Sequence, residues 1–141
     1  MSYPVDLTPI FEHYSTCEYA SIAKSGSPIT MPVTPYRNPS GTIDVSTGLV
    51  YPAKAERARR NPHVALLFSD AHGANIPDPL TVLVIGDATV RDHDLQANTD
   101  RYLRDSMLKL PDMMSGFPPF LVKMQAWYFV RIWIEVTPCK I

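Results

Sequence analysis

A short basic segment carries the clearest chemical signal in the sequence. Lys54 and Arg57 lie one helical turn apart in a helix that Pro52 opens, shortly after a predicted strand that ends at Ser46 and Thr47. The first turn of a helix presents free backbone N–H groups and the positive end of the helix dipole, and both favour a phosphate. A lysine and hydroxyl groups beside that turn would complete an anion site. The same residues also fit an ordinary solvated basic helix, so both interpretations stay open at this point.

No other set of reactive side chains has the spacing of a known site. The sequence contains no HExxH helix, no Gly-rich phosphate loop and no nucleophile elbow. Cys17 and Cys139 are too widely spaced for a zinc site, and Cys17 has no basic neighbour in sequence to activate its thiol. We therefore expect no metal site and name no catalytic residue. The histidines, which lack metal-ligand spacing, are His13, His63, His72 and His93.

Length, composition and charge narrow the class of protein. The 141 residues fit one domain, 1–141, and a hydrophobic content of 45% can supply a packed core. Thirteen basic and fourteen acidic residues give a net charge of −1, which argues against a nucleic-acid-binding protein. The apolar runs are shorter than the ~20 residues of a membrane span, and the first residues lack the basic start of a signal peptide. We expect a cytoplasmic protein without a membrane segment.

The pattern of apolar residues and prolines predicts a mostly β protein with flanking helices. Helices are predicted from Thr8 to Ser15, from Pro52 to Asn61 and over 94–110. Hairpins without a βαβ alternation indicate a small antiparallel barrel rather than a doubly wound sheet. Short periodic segments between turn residues predict six strands, at 18–23, 29–36, 42–47, 64–68, 80–90 and 126–136.

Two of these strands place large apolar residues on the face that should point away from the barrel. In the last strand, Trp127, Phe129 and Trp133 alternate with the residues of the inner face, and Leu83 and Ile85 do the same in the 80–90 strand. Such a face must be covered by a second subunit, a planar ligand or a helix of the same chain. Of the three, we expect a second subunit.

The order of motifs along the chain resembles the pyridoxamine 5′-phosphate oxidase-like group of flavin-binding split β-barrels. The motifs cover nearly the whole chain and include the Ser46-Thr47 strand end and Lys54 at the head of its helix. The others are Pro-Ile-Thr-Met-Pro-Val-Thr-Pro-Tyr at 28–36, Arg-Arg-Asn-Pro at 59–62, His-Val-Ala-Leu-Leu-Phe at 63–68, Val-Ile-Gly-Asp-Ala-Thr-Val at 84–90 and Arg-Ile-Trp-Ile-Glu-Val-Thr-Pro at 131–138.

This resemblance implies a six-stranded antiparallel split barrel that forms a homodimer and holds FMN, or the deazaflavin F420, at the subunit interface. It also implies the residues that bind the cofactor. Lys54, Ser46 and Thr47 would hold its phosphate. The strand along the flavin would contribute Thr30, Met31, Pro32, Val33 and Thr34.

The function that follows is a flavin-dependent oxidoreductase acting on a small-molecule substrate, in which the cofactor carries the electrons and the protein positions it. The alternative is a non-catalytic protein that binds or carries flavin, F420 or haem. Neither requires a side chain to act as an acid or a base, so the sequence leaves the choice between them open.

Overall fold

One antiparallel sheet of seven strands forms the body of the protein. The computed structural model describes residues 5–114, 118, 120 and 129–141. The strands follow the order β2-β1-β5-β6-β7-β4-β3 across the curled sheet, and every neighbouring pair is antiparallel. Their bounds are β1 (Cys17–Ile22), β2 (Pro28–Val33), β3 (Tyr36–Arg37), β4 (Ile43–Gly48), β5 (His63–Phe68), β6 (Val82–Arg91) and β7 (Arg131–Lys140).

Four helices accompany the sheet within the described residues. The predicted helices are confirmed: Pro52 precedes the basic helix, and the Asp94 side chain caps the long one by accepting a hydrogen bond from the Ala97 N–H at 3.0 Å. Among the described residues, no helix has both the length and the apolar character needed to cross a bilayer. The bounds are α1 (Thr8–His13), α2 (Ala53–Arg60), α3 (Leu95–Lys109) and α4 (Pro111–Met114).

The predicted mostly β split barrel is confirmed, with seven strands instead of six. The difference lies in the segment predicted as one strand over 29–36. There β2 ends at Val33, and after Pro35, which has no N–H to donate to a ladder, Tyr36 and Arg37 pair with β4 as a separate short strand. As a result, the two edges of the sheet are β2 and β3, and the barrel is open between them.

Alternation along β6 fills the barrel interior, as predicted. Val82, Val84 and Ala88 are buried, whereas the residues between them are exposed. Gly86 continues the inner face where β6 and β7 shift register, and a Cβ built there would lie 2.4 Å from the Thr137 carbonyl oxygen. Only glycine therefore allows β7 to cross β6 this closely.

The last strand lies further along the chain than the prediction of 126–136. It begins at Arg131 and runs to Lys140, with Phe129 and Val130 before it, while 126–128 fall outside the described residues. Its inner face is as predicted, because Ile132 and Ile134 are buried in the core cluster that fills the barrel.

The expectation that a second subunit covers Trp133 is wrong, because α3 of the same chain covers it. Trp133 is only 1% exposed, and its Nε1 donates a hydrogen bond to the Asn98 carbonyl oxygen at 3.0 Å. The Arg101 guanidinium lies 3.9 Å from the centre of the indole ring, and the Tyr36 ring meets the indole edge-on. Trp127, the other tryptophan of that prediction, lies outside the described residues.

Charged groups fix α3 in this position. Arg101 Nη2 donates to Oδ2 of the fully buried Asp44 on β4 at 2.7 Å, and this carboxylate also accepts from Asn38 Nδ2 and Thr42 Oγ1. At the far end of the helix, the Lys109 ammonium donates to the carbonyl oxygens of Phe11 and Pro35. The helix is therefore held at both ends of its contact with the sheet.

Candidate functional site

A cavity of about 250 Å³ lies where the open side of the barrel meets α2 and α3. It brings together residues from β2, β4, α2 and the start of β7, which are far apart in the sequence. Of the eight cofactor-binding residues predicted, five line this cavity. Its lining consists of Thr16, Pro32, Val33, Thr34, Tyr36, Ser46, Lys54, Tyr102 and Arg131.

Lys54 reaches the cavity from the first turn of α2. Burial lowers the pKa of its ammonium group, and the positive charges of Arg131 and Arg57 lower that pKa further. Within the described residues, Lys54 forms no hydrogen bond and no ion pair. A half-buried lysine beside two other cations is unfavourable unless an anion joins them, so this side of the cavity is suited to an anionic group.

Arg131 and Arg57 complete a group of three cations. The Arg131 guanidinium stacks on the Tyr102 ring, 4.1 Å from its centre, which brings the first residue of β7 against α3. Arg57, one turn after Lys54, is buried beneath α2 and its Nε donates to Ser21 Oγ at 2.8 Å. No aspartate or glutamate lines the cavity among the described residues, so the local charge is strongly positive.

Ser46 and Thr47, predicted as a pair, lie on opposite faces of β4. Ser46 lines the cavity, whereas Thr47 is buried and its hydroxyl donates to the Tyr51 carbonyl oxygen at 2.7 Å. That bond closes the turn between β4 and α2. Thr47 therefore positions Lys54 by shaping the entry to its helix, and the structure does not bring the Thr47 hydroxyl to the cavity.

The predicted strand along the cofactor is the edge strand β2. Pro32, Val33 and Thr34 at its end line the cavity, and Thr30 and Met31 continue from it along the same exposed edge. They do not line the cavity, but they extend a surface from its mouth. A ligand longer than the cavity could lie along this strand.

Four lining residues were not among the predicted site residues. Thr16 directly precedes β1, and Tyr36, Tyr102 and Arg131 come from β3, α3 and β7; only the folded chain brings the four to Lys54. A signal for Arg131 exists in the sequence, because an arginine interrupts the row of aromatic residues on the outer face of the last strand.

The cysteines and histidines are arranged as expected for structural or surface residues. Burial raises the pKa of Cys17 to about 12, so its thiol stays protonated at neutral pH. His63 lies on the surface, where its Nδ1 is 2.8 Å from Asp87 Oδ1. In the part of the chain that the structure describes, no group of three or more potential ligands could hold a metal ion.

A second cavity, of about 510 Å³, adjoins the first across Tyr36, whose side chain lines both. Its charged residues are Glu12, Arg37, Asp105 and Lys109. Burial lowers the pKa of Lys109 to about 8, and the nearby Glu12 carboxylate opposes that shift.

Known structures share this architecture, although no protein-family model and no curated protein matches the sequence. An F420 reductase superimposes with a TM-score of 0.68 at 18% identity, over 98% of this chain and 97% of that one. A candidate pyridoxamine 5′-phosphate oxidase from Listeria innocua gives 0.62 at 19% identity, over 95% and 91%. The haem storage protein HutZ from Vibrio cholerae gives 0.64 at 13%, over 99% and 92%.

The chain has the fold of the pyridoxamine 5′-phosphate oxidase-like split barrels. The resemblance inferred from the order of motifs is thus confirmed at the level of the fold. In this split-barrel protein the donors at the cavity, two cations and several hydroxyls, are the kind of groups that bind a phosphate. The residues present therefore fit the phosphate of a flavin cofactor.

Proposed function

We propose that this split-barrel protein is a cytoplasmic, homodimeric, flavin-dependent oxidoreductase that binds FMN with its phosphate at Lys54. The observation that carries the proposal is the cavity itself. It combines Lys54 and Arg131 with the Ser46 hydroxyl, has no carboxylate in its described lining, and opens onto the edge strand β2. An anionic head group and a flat body that lies along a strand are the two features of FMN that this surface matches.

Each residue has a distinct part in binding. Lys54 would donate a charge-assisted hydrogen bond to a phosphate oxygen, and Ser46 would donate a neutral one. Among the described residues β2 pairs only with β1, so the other edge of its backbone, from Thr30 to Val33, has no strand beside it. Its N–H and C=O groups are therefore available to the polar edge of a ring system. When bound, the flavin would supply hydride transfer.

A second subunit would complete the site. The cavity, at about 250 Å³, is smaller than the ~300–1,000 Å³ of most small-molecule sites, and the strand beside it is exposed. A second copy could cover this strand by packing on the outer face of β5 and β6. There Leu67 and Leu83 lie opposite each other in the ladder and are exposed, as is Ile85.

The larger cavity is the place we propose for the small-molecule substrate. Its volume of about 510 Å³ lies in the usual range for ligand pockets, and it adjoins the proposed phosphate site through Tyr36. A ligand in this cavity would lie beside two positive side chains, Arg37 and Lys109, and a negative one, Glu12.

A cofactor titration tests the phosphate site. We expect Lys54→Ala to weaken FMN affinity roughly ten- to hundredfold, since a charge-assisted bond contributes about 1.5–3 kcal/mol and each ~1.4 kcal/mol is a factor of ten. Riboflavin, which lacks the phosphate, should bind weakly and equally to both proteins. Flavin fluorescence quenching measures both affinities.

Arg60→Ala is the matched control for this titration. Arg60 lies on the exposed face of the same helix, whereas the neighbouring Arg59 forms an ion pair with Asp92 and would change more than the charge of α2. Equal FMN affinities for Lys54→Ala and Arg60→Ala would contradict the proposed site and favour an ordinary solvated helix.

The non-catalytic carrier is a second candidate, and one observation favours it. The haem storage protein HutZ, which is named for storage rather than catalysis, shares this fold over 99% of the chain. The absorption spectrum of the purified protein distinguishes the two functions. Flavin absorbance that NAD(P)H bleaches and an acceptor restores supports the enzyme, whereas tight binding without turnover, or a Soret band from haem, supports the carrier.

A further inference from the structure

Lys109, at the end of α3, brings a positive charge to the wall of the larger cavity. Its ammonium donates to the carbonyl oxygens of Phe11 and Pro35, which are dipoles without net charge. In the described part of the chain, no carboxylate forms an ion pair with Lys109. An ammonium has three N–H donors, and these two bonds use two of them. Since burial disfavours its charged form, an anion on the remaining donor would stabilise it.

The other charged side chains of this cavity already have partners of opposite charge. Arg37 Nη1 lies 3.2 Å from Glu12 Oε1, so this pair adds no net charge. The Asp105 carboxylate accepts from Arg101 Nε at 3.2 Å and from Arg104 Nε at 3.3 Å. Counting histidine as neutral, the described lining therefore keeps one positive charge without an opposite partner, and that charge is the ammonium at the end of α3.

The surroundings of Lys109 suit a ligand with one negative charge and an apolar body. Its Nζ lies 5.5 Å from the centre of the Tyr36 ring, and Ala74 and Leu108 line the same cavity. A carboxylate carries a single negative charge at pH 7, whereas a phosphate monoester carries nearly two. One unpaired ammonium beside apolar groups therefore matches a carboxylic acid better than a phosphate ester.

We propose that the larger cavity binds a substrate that carries a carboxylate, with the carboxylate on the Lys109 ammonium and the apolar body against Tyr36 and Leu108. This inference rests on the proposed function, which places the substrate in this cavity, and it names the chemical class of that substrate. Lys109 is then the specificity-determining residue of the substrate cavity, while Lys54 holds the cofactor in the smaller one.

Two probes of equal shape and different charge test the inference. Benzoate carries a carboxylate, and benzamide replaces it by a neutral amide. We expect the wild-type protein at pH 7 to bind benzoate roughly tenfold or more tightly than benzamide, since one charge-assisted hydrogen bond corresponds to about ten- to hundredfold. An NMR titration measures both affinities, and the backbone amides of Gly73 and Ala74 report whether the probe lies in this cavity. Equal affinities, or binding of neither probe, would overturn the inference.

Variants then assign the preference to Lys109. Lys109→Met should reduce the ratio of benzoate to benzamide affinity to about twofold or less, because only the charged ligand loses its partner. Lys24→Met is the matched control, since it removes one lysine from an exposed position in the turn between β1 and β2 and should leave the ratio unchanged. A purely structural Lys109 would lower both affinities together and keep their ratio, which would also overturn the inference.

The FMN titration separates this inference from the proposed function. Lys109→Met should leave FMN affinity unchanged, and Lys54→Ala should leave the ratio of the two probes unchanged. If FMN binds and the probes bind alike, flavin binding stands and the carboxylate site fails. If FMN does not bind while benzoate is preferred, the proposed function fails and the carboxylate site stands. Circular dichroism checks the fold of each variant, and should Lys109→Met not fold, the two probes on the wild-type protein still decide.

Discussion

The outer faces of β7 and β6 have the same sequence pattern and opposite surroundings. Each strand alternates small or branched inner residues with outer residues that include large apolar side chains. On β7 the outer residue Trp133 is 1% exposed because α3 lies over it, whereas on the neighbouring β6 the outer residues Leu83 and Ile85 are 49% and 43% exposed. The two strands are paired along most of their length, so the boundary between covered and uncovered surface runs through one ladder.

The difference shows that an apolar outer face does not by itself identify an interface. The alternation along a strand predicts which side chains point away from the barrel interior. Whether those side chains are exposed to solvent depends on whether another helix or strand packs over them. The outer face of β7 forms a polar contact with a helix of the same chain, because Trp133 Nε1 donates a hydrogen bond to the Asn98 carbonyl oxygen of α3. Leu83 and Ile85 on β6 have no such cover among the described residues, which is why a second copy is the better proposal there than on β7.

The largest effect should come from removing the covered aromatic residue. We expect Trp133→Ala to lower the free energy of unfolding by about 3–5 kcal/mol, because it leaves a cavity beneath α3 and an unpaired Asn98 carbonyl. Urea denaturation followed by circular dichroism measures this loss. If the variant kept its stability and lost only a subunit partner, Trp133 would belong to an interface after all.

The ion pair that fixes α3 over this face should have the next largest effect. Arg101→Met removes the charge-assisted bond to the buried Asp44 and should lower the free energy of unfolding by about 1.5–3 kcal/mol. Arg104→Met is the control, because Arg104 is exposed and, within the part of the chain that the structure describes, pairs only with the adjacent Asp105. The free energy of unfolding of this variant should stay within about 0.5 kcal/mol of wild type. Equal losses in the two variants would show that the contact with Asp44 does not fix the helix.

The uncovered face should respond through association rather than folding. We expect Leu83→Lys combined with Ile85→Lys to raise the dissociation constant of a dimer at least roughly 30-fold, because the two copies would present charges to each other. Thr89→Lys, exposed further along the outer face of β6, is the control. Analytical ultracentrifugation should give twice 15.8 kDa for wild type and the control, and 15.8 kDa for the double variant. A monomeric wild type at micromolar concentration would contradict the proposed dimer.

The smallest effect concerns the far end of α3 and depends on pH. The pKa of Lys109 is about 8 in the folded protein, below its usual 10.5, because burial disfavours the charged form. Between these two values the unfolded chain binds more protons than the folded chain, so this group makes stability rise with pH. We expect the free energy of unfolding of wild type, measured against Lys109→Met, to increase slightly from pH 7.5 to pH 9.5. A difference that stays constant or falls would mean that the ammonium is not disfavoured in its buried position.

The parts of the fold that depend on local pattern were predictable from the sequence. The inner face of β6 follows from a period of two, and α2 follows from Pro52 at one end and Asn61-Pro62 at the other. The opposite orientation of Ser46 and Thr47 was also available in the sequence, because adjacent residues of a strand point to opposite faces.

The remainder depends on contacts between distant residues. Trp133 is covered because α3 packs over it, and the Asn98 carbonyl that accepts its hydrogen bond lies 35 residues earlier in the chain. The sequence around Asn98 has no pattern that predicts this contact. Arg131 and Tyr102 join the cavity for the same reason. Arg57 is buried although its neighbours Arg59 and Arg60 are exposed, and a run of arginines gives no indication of which one faces inward.

The order of the strands in the sheet has a consequence for the time course of folding. Among the described residues, β3 and β4 pair with the rest of the sheet through β7 alone, while β1, β2, β5 and β6 can pair with one another before β7 has been synthesised. During synthesis the first half of the barrel can therefore form before β7, the strand that joins β4 to it, has been synthesised. The proposed phosphate site needs Ser46 from β4 and Arg131 from β7, so it is among the last features to assemble. A nascent chain shorter than about 131 residues would therefore lack cofactor affinity even where its earlier strands are already ordered.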